Sequence, residues 1–298
     1  TKWAPVMREA ARHAPDAHFI IHAGDLVNHG GIDRQWGEWF DAADPLHRTM
    51  AVVPTPGNHE YYASEEGSLP SYWRHQFALP EKGPVGGVFV LDFPGVRLLC
   101  LNSNEKLATQ AEWMQTVLAR DPQRWTIATF HHPVFSGAEG RDNPELRRLW
   151  KPIFDAHQVD LILQGHDHVY GRSGVIGSSV YVVSVSGPSF YRIENTKWMR
   201  RKGEKVQLFQ DITIDGDVLT FEARTIMGKL FDRFTLTKRA KSANALREGG
   251  TEPQVAAAPT PRASPATQPW NWAPIVAIFA IVGILLAIRV VRDRLRAI

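Results

Sequence analysis

The stretch Gln164-Gly165-His166-Asp167-His168-Val169-Tyr170, QGHDHVY, follows the apolar run Val159-Asp160-Leu161-Ile162-Leu163 without a break. A short apolar run stopped by glycine reads as a buried strand, and its end delivers two imidazoles, two residues apart, to one side of an extended backbone. Alone, the pair admits two readings. The histidines are either neighbours in a turn opened by Gly165 or two ligands of a metal site completed from elsewhere. What the other strands end in decides between them.

Working outward, apolar runs at 18–22, 50–56, 87–93, 96–102, 125–132 and 159–165 are interleaved with helix-like segments around 3–12, 34–43, 109–120 and 144–157. This alternation reads as α/β, and beyond Gly165 strands and turns dominate, with Asp215-Gly216 as a hairpin signal. In open α/β sheets ligands gather beyond the carboxyl ends of the strands. Here those ends carry Gly24-Asp25, Gly57-Asn58-His59-Glu60, His131-His132-Pro133 and Gly165-His166-Asp167-His168. Each has an ordinary explanation as a turn or a cap. Crowding all of them together is costly unless a cation compensates. A carboxylate, an amide oxygen and several imidazoles suit Mn, Fe or Zn. A carboxylate such as Asp25 can bridge two ions about 3.5 to 4 Å apart, the arrangement that clamps a phosphoryl group.

With these residues in place, the pattern resembles the calcineurin-like metallophosphoesterases, whose motifs run Asp-x-His, Gly-Asp-x-x, Gly-Asn-His-(Asp/Glu), a His before Pro, and Gly-His-x-His. Four of the five are present in order across residues 24 to 168. The stretches GNHEY, Leu101-Asn102-Ser103-Asn104 and GHDHVYGR (165–172) are similar to the purple acid phosphatase branch. The resemblance implies a four-layer α/β/β/α sandwich of two mixed sheets, two metal ions (Mn, Fe or Zn) and hydrolysis of phosphoesters. By it, Asp25 bridges the ions, Asn58, His131 and His166 bind one of them, and His168 helps bind the other. His131 is preferred to His132 because the family's ligand stands two positions before the proline. His59 and Asn58 are the implied catalytic residues: His59 as general acid or phosphate contact, Asn58 holding a non-bridging oxygen. Glu60, Asp167 and Arg172 are expected either to orient the ligating imidazoles or to support the loop. Tyr61, Tyr62, Tyr72 and Trp73 either shape a pocket or pack a loop. Two departures stand out. Asn28 occupies the place of the branch's metal-binding Tyr, and no residue before Asp25 can act as the first-motif Asp, since Asp16 lies on the wrong side of its strand. The expectation is a first strand upstream of Thr1.

Charge narrows the alternatives. The chain carries a net +3, yet residues 238–298 hold nine Lys and Arg against three acids, leaving 25 of the 34 bases against 28 of the 31 acids in residues 1–237. A slightly acidic folded part disfavours nucleic acid as a partner and a nuclease as the activity. The single Cys100 sits in an apolar run, so no intramolecular disulfide forms. The domain is expected over 1–237, followed by an Ala/Pro-rich disordered linker over 238–269. A transmembrane helix is expected over 270–291, built on sixteen uncharged apolar residues from Ala273 to Ile288, with a basic tail over 292–298. Arg289, Arg292, Arg294 and Arg296 place the C-terminus in the cytoplasm and the domain outside it, periplasmic or extracellular. The partners are then a small-molecule or phosphorylated substrate and, through the helix, the membrane. The competing expectation is a non-catalytic surface binding protein with a partial metal site.

Overall fold

The computed structural model describes residues 3–62, 69–80, 83–239 and 242–249, together with the backbone of 285–291. The first half runs α1 (Ala4–His13), β1 (Phe19–Ala23), α2 (Asp33–Ala42), α3 (Asp44–His47), β2 (Ala51–Thr55), α4 (Ser71–Gln76), β3 (Phe89–Phe93), β4 (Val96–Cys100), α5 (Leu107–Leu118), β5 (Trp125–Thr129), α6 (Pro144–Ala156) and β6 (Leu161–Gln164). The rest is strand: β7 (Tyr170–Ile176), β8 (Ser179–Val183), β9 (Met199–Gly203), β10 (Leu208–Asp215), β11 (Val218–Thr225), β12 (Leu230–Thr237), β13 (Ala245–Glu248) and β14 (Leu285–Val291).

Two seven-stranded sheets result, ordered β13-β12-β11-β10-β14-β1-β2 and β3-β4-β5-β6-β8-β7-β9. Both are mixed: β1 runs parallel to β2, and β4, β5, β6 and β8 are mutually parallel, while the hairpins are antiparallel. Every residue of β1, β4, β5 and β6 is buried, as parallel strands covered on both faces require. Alternate side chains decide which core they enter. From β1, Phe19, Ile21 and Ala23 point between the sheets with Leu98, Ile127, Leu163 and Phe221. Ile20 points outward under Trp3, Trp36 and Trp39 of the first helices. On the second sheet Leu99, Ala128 and Ile162 face Met114 of α5 and Trp150 and Phe154 of α6. The buried positions of α6, Leu146, Trp150, Ile153 and Phe154, recur at helical spacing, and Pro144 opens it where no backbone donor is needed. The four-layer expectation holds.

One boundary needs correction. Folded structure continues past residue 237, because Ala245–Glu248 pairs with β12 and Glu248 ties to buried Arg172 (Nη2 to Oε2, 2.5 Å). A four-residue strand within polar sequence offers too few apolar positions to show an alternation. The last described residues bear on the membrane helix expected over 270–291. Residues 270–284 lie outside the described residues, but Leu285–Val291 is a strand, parallel to β10 and antiparallel to β1. A uniformly apolar run has no period to separate helix from strand, and here it pairs backbone groups of two facing strand edges. Among the described residues no helix is long and apolar enough to cross a membrane.

Candidate metal centre

Four strand ends converge as the sequence pattern anticipates. Asp25 Oδ2 lies 3.0 Å from His131 Nε2, and Asn58 Oδ1 lies 3.1 Å from that nitrogen and 3.0 Å from His166 Nδ1. His166 Nδ1 and His131 Nε2 are 3.1 Å apart. Asp25, His131 and His166 form the one group of Asp, Glu, His and Cys among the described residues whose donor atoms lie mutually within 4.8 Å. With the Asn58 oxygen, one carboxylate, one amide and two imidazoles face a common point, a donor set that fits a borderline divalent ion. His131 Nδ1 donates to the Ala23 carbonyl at 2.8 Å, leaving Nε2 for the centre.

A family model described as calcineurin-like phosphoesterase matches residues 3–170. The chain belongs to the calcineurin-like phosphoesterase family. An uncharacterised Mycobacterium tuberculosis protein is 31% identical over 167 residues, covering 47% of this chain and 31% of that protein. Purple acid phosphatase 18 of Arabidopsis thaliana is 25% identical over 177 residues, 54% of this chain and 40% of the relative. The fold is shared with a purple acid phosphatase from yellow lupin seeds, at a TM-score of 0.69, 20% identity, and coverage of 78% of this chain and 49% of that one. The chain thus spans less than two thirds of the length of these relatives.

The calcineurin-like centre is built on strained turns. Asp25, His166 and His168 all sit in the left-handed region, at φ of 54°, 70° and 50°. Such backbone is disfavoured for non-glycine residues and persists only where surroundings enforce it. Two glycines let the turns touch. A Cβ on Gly24 would stand 2.5 Å from His131 Nδ1, and one on Gly57 would stand 2.1 Å from Asp25 Oδ1. Glu60 locks both turns from below. Its Oε2 accepts the N–H groups of Asp25 and Gly57 (2.8 and 2.6 Å), and its Oε1 those of Leu26 and Val27 (2.7 and 3.2 Å).

Burial dominates the electrostatics. It pushes the Glu60 carboxyl up to about 7, with the Asp25 charge adding to it, against the pull of the backbone donors. Burial would also raise Asp25, but the adjoining His131 charge and hydrogen bond hold it below its ordinary value. His131 is raised in turn: the Asp25 carboxylate overcomes burial. Burial and the cationic neighbours drive His166 down, and His132 to about 3. The centre thus pairs the Asp25 carboxylate with a proton held on His131 and keeps His166 neutral, and a cation would take the place of that proton.

The other expected residues divide. His59 is at the rim: its Nδ1 donates to the Asn28 carbonyl (2.9 Å), its backbone N–H donates to Asp25 Oδ1 (3.1 Å), and its Nε2 is 3.9 Å from Asp25 Oδ2. Asn28 therefore contributes its carbonyl, to His59. His168 stands outside the Asp25–His131–His166 group; its ring stacks on Tyr191 at 4.4 Å, and burial lowers its pKa to about 4. Asp167 does not orient an imidazole. Its Oδ2 accepts from Ser136 Oγ and from the N–H groups of Gly137 and Ala138, at 2.6, 2.7 and 3.2 Å. Arg172 is corrected to a structural role: it is buried and bonded to Asp232 and Glu248. Of the aromatics, Trp73 packs in the helix-side core and Tyr61 bonds Glu105 and Asn102, while Tyr62 receives Asn58 Nδ2 (3.3 Å) beside His59. No role was expected of Ser103 itself, whose Oγ accepts the His132 N–H and pairs with its Nδ1, both at 2.9 Å. That contact joins loops 29 residues apart in the chain.

Proposed function

We propose that this chain hydrolyses phosphoesters at a dinuclear metal centre. The observation that carries this reading is the convergence of Asp25, Asn58, His131 and His166 on one point from both sheets. Those four residues would hold one ion, with Asp25 shared toward the second and His168 assisting there. When bound, the ions supply Lewis acidity and a nucleophilic water at neutral pH. The chain's own groups do the remainder. Asn58, fixed by Tyr62, presents its amide to a non-bridging oxygen. The Asn28 carbonyl accepts the Nδ1 proton of His59, so Nε2 faces the centre, where a second proton taken up on Nε2 can pass to the leaving oxygen and leave the neutral Nδ1–H ring behind. Relatives named as acid phosphatases support the reaction class. The test is turnover of 4-nitrophenyl phosphate by the full chain with Mn²⁺ or Zn²⁺. Wild type is expected to respond to metal, and Asp25→Asn and His59→Ala to lose about 10² or more in kcat. A metal-loaded wild type no faster than Asp25→Asn would remove the proposal.

A second reading, a surface binder with a partial site, draws on His168 lying outside the converging donors. Binding of one metal equivalent without turnover would favour it. We further infer that the domain works outside the cytoplasm, attached by its apolar C-terminal segment with Arg292, Arg294 and Arg296 inside. The support is the uncharged run Ala273–Ile288 and the basic cluster after it. This requires Leu285–Val291 to leave the sheet, so the two arrangements exclude each other. Alkaline carbonate extraction of cells making the chain separates them: retention in the membrane pellet is expected, and full release would discard the attachment.

A further inference from the structure

We propose that Arg141 is the phosphate-contacting cation of this centre and, held by Tyr191, gives it a preference for doubly charged phosphate monoesters over singly charged diesters. The proposal rests on the phosphoester reading above and adds a residue and a substrate class to it.

Arg141 follows Gly140, which has φ 69°, on the loop after β5. Its Nη1 donates to the carbonyl of His166 at 2.9 Å, which places the guanidinium beside a donor of the centre. Its Cζ lies 4.4 Å from the centroid of the Tyr191 ring, and that ring stacks on His168, 4.4 Å away and 17° from parallel. The side chain is 30% exposed, and among the described residues its Nε and Nη2 make no hydrogen bond. The nearest carboxylate oxygen, Asp167 Oδ1, is 4.0 Å away. The partner oxygen of Asp167 is occupied by three loop donors. The cation is thus only loosely compensated.

The supporting frame is rigid. Asp167 pins residues 136–138, and Ala138 pairs with Ile193 in an isolated bridge. Glu139 N–H donates to the Arg192 carbonyl (2.9 Å), Glu194 N–H to the Gly137 carbonyl (3.0 Å), and Gly140 N–H to Glu194 Oε2 (2.9 Å). Arg141 and Tyr191 are therefore carried by two segments clamped to each other. A guanidinium restrained by a ring and a carbonyl loses little freedom on meeting a ligand, and its planar fork matches two phosphate oxygens. A structural Arg that merely tied down the His166 carbonyl would not need a second, unbonded edge beside the centre. Above the second phosphate pKa of about 6 a monoester carries nearly two charges and three unesterified oxygens. A diester carries one charge and two such oxygens, so it gains less from an added cation.

The full chain loaded with Mn²⁺, as wild type, Arg141→Met, Arg141→Lys, Tyr191→Phe and Tyr191→Leu, decides the matter with three probes: inorganic phosphate by calorimetry, 4-nitrophenyl phosphate and bis(4-nitrophenyl) phosphate by turnover. Arg141→Met is expected to weaken inorganic phosphate about 10- to 100-fold and to raise the monoester KM similarly, with the diester KM changed less than about 3-fold. Arg141→Lys should recover part of the loss, and Tyr191→Phe should weaken phosphate less than Tyr191→Leu because it keeps the ring. Tyr191→Leu should weaken phosphate about 3- to 10-fold by loosening the guanidinium. Equal losses for both esters, or unchanged phosphate affinity in a folded Arg141→Met, would overturn the proposal. If wild type turns over neither ester, the phosphoesterase reading fails, while the phosphate affinities of wild type and Arg141→Met still judge Arg141.

Discussion

At the scale of single residues, the centre depends on a carboxylate that is not one of its converging donors. Glu60 takes four backbone N–H groups from two separate turns, and in doing so sets where Asp25 and Asn58 point. Glu60→Gln keeps the shape but replaces one acceptor oxygen with an amide that faces donors. A loss of about 1 to 3 kcal/mol in unfolding free energy is expected by urea titration, together with weaker metal binding. Retained stability and affinity would show that the turns hold themselves. The ligands were legible in the sequence because imidazole, amide and carboxylate announce their chemistry by type. The supports were not, because they work through partners that type does not reveal. Asp167 holds N–H groups 29 and 30 residues away, and Arg172 grips Asp232 across 60 residues.

Among the elements, β1 carries a buried base on its helix-facing side. His22 is fully buried, its ring 5.2 Å from that of Trp39 and 6.1 Å from that of His47, and neither its nitrogens nor those of His47 have a hydrogen-bond partner among the described residues. Burial pushes both down, His22 well below its ordinary value and His47 to about 4. The unfolded chain protonates these rings near 6.5, so below that pH it binds more protons than the folded chain. Stability from this pair is complete above about pH 7 and is lost as pH falls through 6.5. His22→Leu should therefore lose less stability between pH 7 and pH 5 than wild type, by about 2 kcal/mol, read from urea midpoints at the two pH values. Parallel slopes would mean that water reaches the ring. Element order was readable where a short apolar run is closed by a turn or polar residues, as in the fully buried β1, β4, β5 and β6. The edge strand β9, MRRKG, was not, since its three consecutive charges Arg200, Arg201 and Lys202 leave no apolar alternation, and neither was β14, whose apolar residues have no period.

For the whole molecule, the layers came from resemblance: periodicity gives strands and helices but not which sheet a strand joins. Both sheets are needed for the centre. Asp25 and Asn58 follow β1 and β2 of one, while His131 and His166 follow β5 and β6 of the other. Metal should stabilise the folded chain by about 2.7 kcal/mol at 100 times its Kd, seen as a chelator-reversible rise in Tm. Absence of any shift in a chain that binds metal would mean that the donors persist after unfolding. One ion held this way is a clasp. The sandwich is glued along its interior by Phe19, Ile127, Phe221 and their neighbours, and fastened at one rim by four atoms from opposite leaves. Cold or urea loosens the glue, and acid or a chelator opens the clasp. Either insult leaves the other fastening carrying the full load, so the two together should part the leaves where neither does alone.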